Sequence, residues 1–271
     1  MKVQQVSWFD SRFYRITILD KPDLYYWSVT TKLGAKSKPY LALWRGNVGN
    51  READLQSQQG MDKGSREHYG WYLMTTGGAV LYNPMERPNY TREQIAEIEK
   101  DVNGIIILAN QQEMYDIYKL KCWHEAVNPK IEASELIVYS HKWKEAGQLD
   151  KLLYIKEGNY MINGAKPLRI PEGLYVIDLK TGKAKDEDAF KQIACYAKCY
   201  EEMTKEKVKG GIVIWVGSKT KNGIAGLSTE IIVDNELEDN YRRYRAISEV
   251  WINEFSDTLP KIFNFPSLIK L

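Results

Sequence analysis

The chain has 271 residues, of which 44% are hydrophobic, 27% charged and 12% aromatic, a composition that supports a core and excludes a disordered chain. Its 38 lysines and arginines face 36 acids, so the net charge of +2 excludes the overall basicity of a passive nucleic-acid coat. No apolar run approaches the roughly 18 residues of a membrane span, and MKVQQVSWFD has no signal-peptide core; an intracellular, cytoplasmic protein with no membrane contact is expected.

Residues 1–31 alternate apolar with polar positions (Tyr14, Ile16, Ile18, then 25–31), as strands or an extended arm would. Tyr25, Tyr26 and Trp27 can stack on bases or pack, and among 18 tyrosines and 8 tryptophans packing is the preferred reading. Thr30 and Thr31 can bond phosphate or simply end a strand. From 38 to 76 the pattern turns helical, with Leu41, Trp44 and Val48 followed by a polar stretch broken by Gly60 and Gly64. A further helix is predicted over 91–120, with Thr91 as N-cap and Gln94 completing a capping box.

After Pro129 three strands are predicted, over 135–139, 147–155 and 174–180, with a hairpin excursion over 158–173. Asp186, Glu187 and Asp188 open a helix to about 205, where acids suit the positive end of its dipole. The apolar run 211–216 reads as a central strand, 227–233 as another, and 236–255 as a closing helix. The expected architecture is one α/β domain over 1–271, a mixed central sheet flanked by helices. Residues 1–130 form its arm and helical N-terminal elaboration, and 131–271 its core.

Cys195 and Cys199 lie one helical turn apart and, with Cys122, read as small thiols, because no second Cys or His pair completes a metal site. Lys36 and Lys38, then Lys183, Lys185, Lys191 and Lys198, Lys205, Lys207 and Lys209, and Arg242, Arg243 and Arg245 form local basic groups. Solvated helix faces account for most of them, and a basic channel stays open as the alternative. His124 and His141 have no chemical context, and HEAVN at 124–128 matches a zincin helix only in its first two letters.

In VIDLKTG, residues 176–182, period two places Asp178 and Lys180 on one strand face, with Val176 and Ile177 as apolar support. The pair can be an internal salt bridge, itself weak evidence of stability. Asp150, which ends GQLD on the preceding strand, adds a second acid. Two carboxylates at about 4 Å and an effective dielectric near 20 repel by roughly 4 kcal/mol, so positive charge belongs between them. Mg²⁺ or Mn²⁺ suits an oxygen-rich site of few protein ligands, and Lys180 beside it can orient a water and stabilise charge on a phosphoryl group. That set is what hydrolysing a phosphodiester requires; an accidental strand pattern is the alternative.

The motifs GQLD (147–150), DLKTG (178–182) and QIACY (192–196), preceded by GSREH (64–68) as a GxxxH element, resemble the PD-(D/E)XK nuclease superfamily in its RecB-like branch. SVTT (28–31) and Trp44 extend the resemblance toward mitochondrial genome-maintenance exonucleases and related phage exonucleases. It covers roughly 28–255, dense over 135–216 and thin over 77–130. Ile177 departs from the family where some members carry proline.

The resemblance implies a restriction-endonuclease-like core in which His68, Asp150, Asp178 and the Leu179 carbonyl ligate one or two Mg²⁺ or Mn²⁺ ions. It makes Lys180 catalytic, places Gln192 and Tyr196 against the DNA strand, and gives Glu135 a supporting or structural role. Three cysteines cannot supply the iron–sulfur cluster of some relatives, and no GxxxxGK[ST] loop is present, so neither that cluster nor a nucleotide is expected. The implied activity is exonucleolytic hydrolysis of single-stranded or end-bearing DNA in replication, recombination or repair, beside a helicase, single-strand-binding or recombinase partner. A structure-specific endonuclease and a catalytically idle DNA-binding module are the competing readings.

Overall fold

The computed structural model describes residues 2–8, 11–19, 21–163, 166–182, 185–217 and 226–255. The chain runs β1 (Lys2–Trp8), β2 (Ser11–Thr17), β3 (Leu24–Ser28), α1 (Val29–Leu33), α2 (Pro39–Val48), α3 (Asn50–Thr75), β4 (Ala79–Tyr82), α4 (Arg92–Lys100), β5 (Ile105–Leu108) and α5 (Gln111–Val127). It continues through β6 (Lys130–Ser140), β7 (Glu145–Ile155), β8 (Gly158–Asn163), β9 (Lys166–Ile170), β10 (Gly173–Lys180), α6 (Asp188–Thr204), β11 (Gly210–Val216), β12 (Leu227–Val233) and α7 (Asn235–Phe255).

The principal sheet has the order β1-β2-β3-β7-β10-β11-β12, with β6 also paired to β7. It is mixed: β3 lies parallel to β7 and β10 parallel to β11, while β7–β10 and β11–β12 are antiparallel. Both faces of its centre are covered, which is why β10 and β11 read as near-continuous apolar runs. Along β10, Val176 joins one core with Ile193, Tyr196 and Tyr200 of α6 and Tyr244 of α7. Ile177 and Leu179 point the other way, into a core with Trp71 of α3 and Leu120 and Trp123 of α5. The arrangement is the expected α/β sheet flanked by helices.

Two expectations are corrected. The helix over 91–120 divides into α4, β5 and α5. The capping box forms, with Thr91 Oγ1 accepting from the Gln94 amide at 3.3 Å. Beyond it, however, Gly104 adopts φ 104°, a conformation that suits glycine, and the run Ile105–Leu108, three β-branched isoleucines and a leucine, pairs with β4 in a separate two-stranded sheet. Asn110 then caps α5 by accepting from the amides of Gln112 and Glu113. Of the two readings of residues 1–31, strands or an extended arm, the strands form, and they join the principal sheet because β3 docks beside Glu145 and Ala146 of β7. The extended stretch predicted to reach 31 stops at Ser28, and Thr30 and Thr31 belong to α1.

Most of the clustered lysines and arginines are already paired on the surface: Lys36 with Asp188 (3.1 Å), Lys38 with Asp186 (2.9 Å), Lys209 with Asp234 (2.8 Å), and Lys198 with Glu201 (3.1 Å) and Glu238. The solvated-face reading holds for these four, whereas Lys191 and Arg245 are buried and paired with Asp188 and Glu145; Lys183 lies outside the described residues. Tyr26 and Trp27 are buried, as packing residues. His124 accepts from the Trp71 indole at 2.8 Å in an apolar setting where burial pushes its pKa down to about 4, and His141 Nδ1 pairs with the Tyr26 hydroxyl. The described helices include none long and apolar enough to cross a membrane.

Candidate active site

Eight elements meet at one cavity of about 610 Å³. Its walls carry Thr30 from α1, His68 from α3, Glu135 from β6, Asp150 from β7, Asp178, Leu179 and Lys180 from β10, and Gln192 and Tyr196 from α6. Thr31 is absent from these walls and instead exchanges two hydrogen bonds with the backbone of Arg12, each of 3.3 Å. Every other predicted site residue is brought to the cavity.

Strand register makes the central juxtaposition. Ile177 of β10 pairs with Lys151 of β7, so the next position along β10 comes up to Asp150. The Leu179 amide donates to Asp150 Oδ2 at 2.7 Å, fixing that carboxylate, while the Leu179 side chain is buried in the opposite core.

Around this junction the side chains form two arms. In the first, His68 Nδ1 lies 3.2 Å from Asp150 Oδ1, and Glu135 Oε2 accepts from Gln148 Nε2 at 2.5 Å. His68, Glu135 and Asp150 each offer a ligand atom within 4.8 Å of the others. In the second arm, Lys180 Nζ stands 2.7 Å from Asp178 Oδ2 and donates to Gln192 Oε1 at 3.0 Å, and Gln192 Nε2 donates to Asp178 Oδ1 at 2.8 Å. This closed ring orients all three groups, and Gln192 also reaches the Tyr196 hydroxyl at 3.2 Å. The Asp178 carboxylate thus faces Lys180 and Gln192, and Glu135 occupies the place beside His68 and Asp150.

The electrostatics show a site short of positive charge. Burial raises the pKa of Asp178, and nearby Asp150 adds to that against the pull of Lys180. Burial and Asp150 likewise raise Glu135. Burial opposes ionisation of Asp150, but His68, the Leu179 amide and Lys180 outweigh it and bring its pKa below the ordinary value. Burial would depress the imidazolium of His68, yet Asp150, Asp178 and Glu135 lift it to about 9. Three carboxylates and an imidazole, with no thiolate among them, are donors suited to a hard divalent cation. A proton on His68 partly does that cation's electrostatic work.

A pH dependence follows. His68 has a folded pKa near 9 against an unfolded value of 6.5, so its stabilisation is fully present below pH 6.5 and is lost as pH rises through about 9. Urea unfolding of metal-free protein at several pH values is expected to show that decline, and His68→Asn is expected to remove it. Added Mn²⁺ is expected to release a proton across the same window, because the ligand must be neutral.

The motif glycines have local causes. A Cβ on Gly147 would stand 2.1 Å from Tyr196 Cε1, so only glycine lets the ring lie across β7 toward the site. On α3, a Cβ at Gly64 would stand 3.0 Å from Thr181 Oγ1, so this position sets how closely the His68 helix approaches the turn after Lys180. Gly147→Ala is expected to cost about 1–3 kcal/mol by overpacking. Tyr196→Ala in the same chain should recover part of that loss in chemical denaturation, whereas Tyr196→Phe, which keeps the clashing ring, should not.

Three cavity residues, Arg12, Gln5 and Tyr14, and the place of Glu135 beside His68 and Asp150 are not legible in the sequence. Arg12, Gln5 and Tyr14 reach the cavity only because the β1–β2 hairpin joins the sheet beside β3. Glu135 sits at φ 53°, a left-handed conformation that costs a residue with a side chain about 1–2 kcal/mol. Ser65 had a legible signal, one turn before His68 on the same helix.

The chain matches no protein-family model and no curated protein. Among solved structures, one described as the crystal structure of SSO0001 aligns over 74% of this chain and 87% of its own, at 13% identity and a TM-score of 0.29. That likeness carries no argument, and the reading of the site rests on its own geometry.

Proposed function

We propose that this chain is a metal-dependent deoxyribonuclease of PD-(D/E)XK type that hydrolyses phosphodiester bonds, acting as an exonuclease on single-stranded or end-bearing DNA. The observation that carries the reading is the convergence of Asp150, Asp178 and Lys180 with His68, Glu135 and Gln192, from five separate elements, on one cavity.

His68, Asp150 and Glu135 would hold Mg²⁺ or Mn²⁺, with Asp178 and the Leu179 carbonyl beside them. When bound, such an ion polarises a phosphoryl oxygen and makes a water acidic enough to attack near neutrality. Lys180, held by Asp178 and Gln192, directs an ammonium at the charge that develops on the phosphoryl group. Arg12, exposed at the cavity wall, supplies a guanidinium for a flanking phosphate. Tyr196 and Gln192 set the shape of the wall along which the strand lies.

The test uses end-labelled DNA, linear or circular and single- or double-stranded, with Mn²⁺ and then with EDTA. Linear single strands are expected to shorten with Mn²⁺ and to survive in EDTA, while circles persist. Cleaved circles would favour an endonuclease, and linear DNA that survives Mn²⁺ would overturn the nuclease reading.

A further inference from the structure

The metal-ligand face of α3 continues past the site. Ser65, His68, Tyr69 and Tyr72 follow the spacing i, i+3, i+4 and i+7 and so share one side of the helix. They line a second cavity, of about 520 Å³, whose other walls are Ser134 and Glu135. Ser65, His68 and Glu135 border the first cavity as well, so the two spaces adjoin at the candidate metal ligands. In the second cavity the Tyr69 and Tyr72 rings lie nearly parallel, 14° between planes and 6.2 Å between centroids. Tyr69 is 48% exposed.

From this geometry we infer that Tyr69 and Tyr72 form a ledge on which the base next to the scissile phosphodiester stacks. Two features choose a base over other occupants. The six lining residues include no lysine or arginine, and around Tyr69 and Tyr72 the ledge offers flat aromatic area rather than a cationic cradle for phosphate. Glu135 and His68, shared by both cavities, set the candidate metal ligands at the border, so a phosphate held there leaves its neighbouring base on the side of the rings. An internal base of a duplex cannot reach such a ledge, because both its faces are covered by neighbours. The ledge thus selects single-stranded nucleic acid by shape and without reading sequence, as aromatic platforms do. This inference rests on the nuclease reading for the phosphodiester, but the stacking itself is measurable without cleavage.

The experiment is equilibrium binding of a short fluorescent single strand carrying 2-aminopurine near its end, with Ca²⁺ in place of Mg²⁺ and intact oligonucleotide verified on a gel. Wild-type protein is expected to quench 2-aminopurine and to bind an abasic counterpart more weakly. Tyr69→Ala with Tyr72→Ala should raise Kd about tenfold, the scale of one stacked base, abolish the quenching and remove the abasic penalty. Tyr69→Phe and Tyr72→Phe should keep all three properties. Because Tyr69 is half-exposed, Tyr69→Ala alone provides the same comparison should the double variant fail to fold. The ledge is overturned if the alanine variants retain the quenching and the abasic penalty, if the phenylalanine variants lose them, or if wild-type protein does not bind the strand. Stacking without any cleavage in Mn²⁺ would instead overturn the nuclease reading and leave the ledge standing.

Discussion

Lys180→Met is expected to slow single-turnover hydrolysis of linear DNA by about 100-fold or more, the effect of deleting one preorganised donor aimed at developing charge. The same change should leave secondary structure intact, with a modest fall in the unfolding midpoint because Asp178 loses its paired cation. Lys180 sits at the open end of β10 and is part-exposed, so its removal empties no core. Its role is decided by its surroundings. Burial pulls the ammonium pKa down, but Asp178 at 2.7 Å and Asp150 outweigh burial and raise it above the ordinary lysine value. Held between Asp178 and Gln192, the ammonium is positioned to contribute positive charge at the phosphoryl group. Lys180→Arg is therefore expected to recover part of the rate, limited by the different geometry of a planar guanidinium. Gln192→Ala should fall between parent and Lys180→Met, because it leaves both charges but removes the amide that spans them. A Lys180→Met protein that cleaves within about threefold of the parent would exclude this role.

How much of this was legible in the sequence depends on whether the relevant contact is local or lies across the sheet. The alternation in VIDLKTG places Asp178 and Lys180 on one face, and the structure has them in contact. The GQLD and QIACY motifs reach the same cavity because β7 and α6 both flank β10. Strand period and helix period are properties of the chain itself, so such features can be read in advance. Glu135 differs. Its position beside His68 and Asp150 depends on a left-handed backbone at φ 53° and on a β6–β7 register that shifts between Ile131 and Ala133. Neither is encoded by a turn residue such as glycine or asparagine. Glu135 was named in advance without this placement, but Arg12 was hidden altogether, since its approach requires the pairing of β3 with β7, a contact between residues more than a hundred positions apart. The split of the helix over 91–120 is a case where local apolar content was readable but its period was not: Ile105–Leu108 is too short a run to separate strand from helix.

Glu145→Ala is expected to lower the free energy of unfolding by about 3–5 kcal/mol, a large share of the 5–15 kcal/mol typical of a folded domain. Glu145, at the start of β7, is fully buried, as is Lys32 of α1. Its carboxylate lies 2.7 Å from Lys32 Nζ, accepts from Arg245 Nη1 at 3.0 and 3.1 Å and from the Tyr244 hydroxyl at 3.0 Å, and meets the Cys195 thiol at 3.4 Å. The Arg245 guanidinium also stacks on Trp143 at 3.7 Å. One anion therefore serves two buried cations from α1 and α7. Removing it leaves both uncompensated in a low-dielectric interior, which is the source of the loss, rather than any large net gain from the ion pairs themselves. Lys32→Met should cost less, because Arg245 and Tyr244 still satisfy the carboxylate and the methionine fills the space. Glu145, Cys195 and Cys199 are also close enough to suggest a metal site, but both carboxylate oxygens are already engaged by cations, and burial holds the Cys195 thiol far above its ordinary pKa. A thiolate is what a metal would need there, so added Zn²⁺ should leave the urea midpoint unchanged. An unchanged midpoint in Glu145→Ala, or a large Zn²⁺-dependent rise in the parent protein, would show that the network does not anchor α1 and α7 to the sheet.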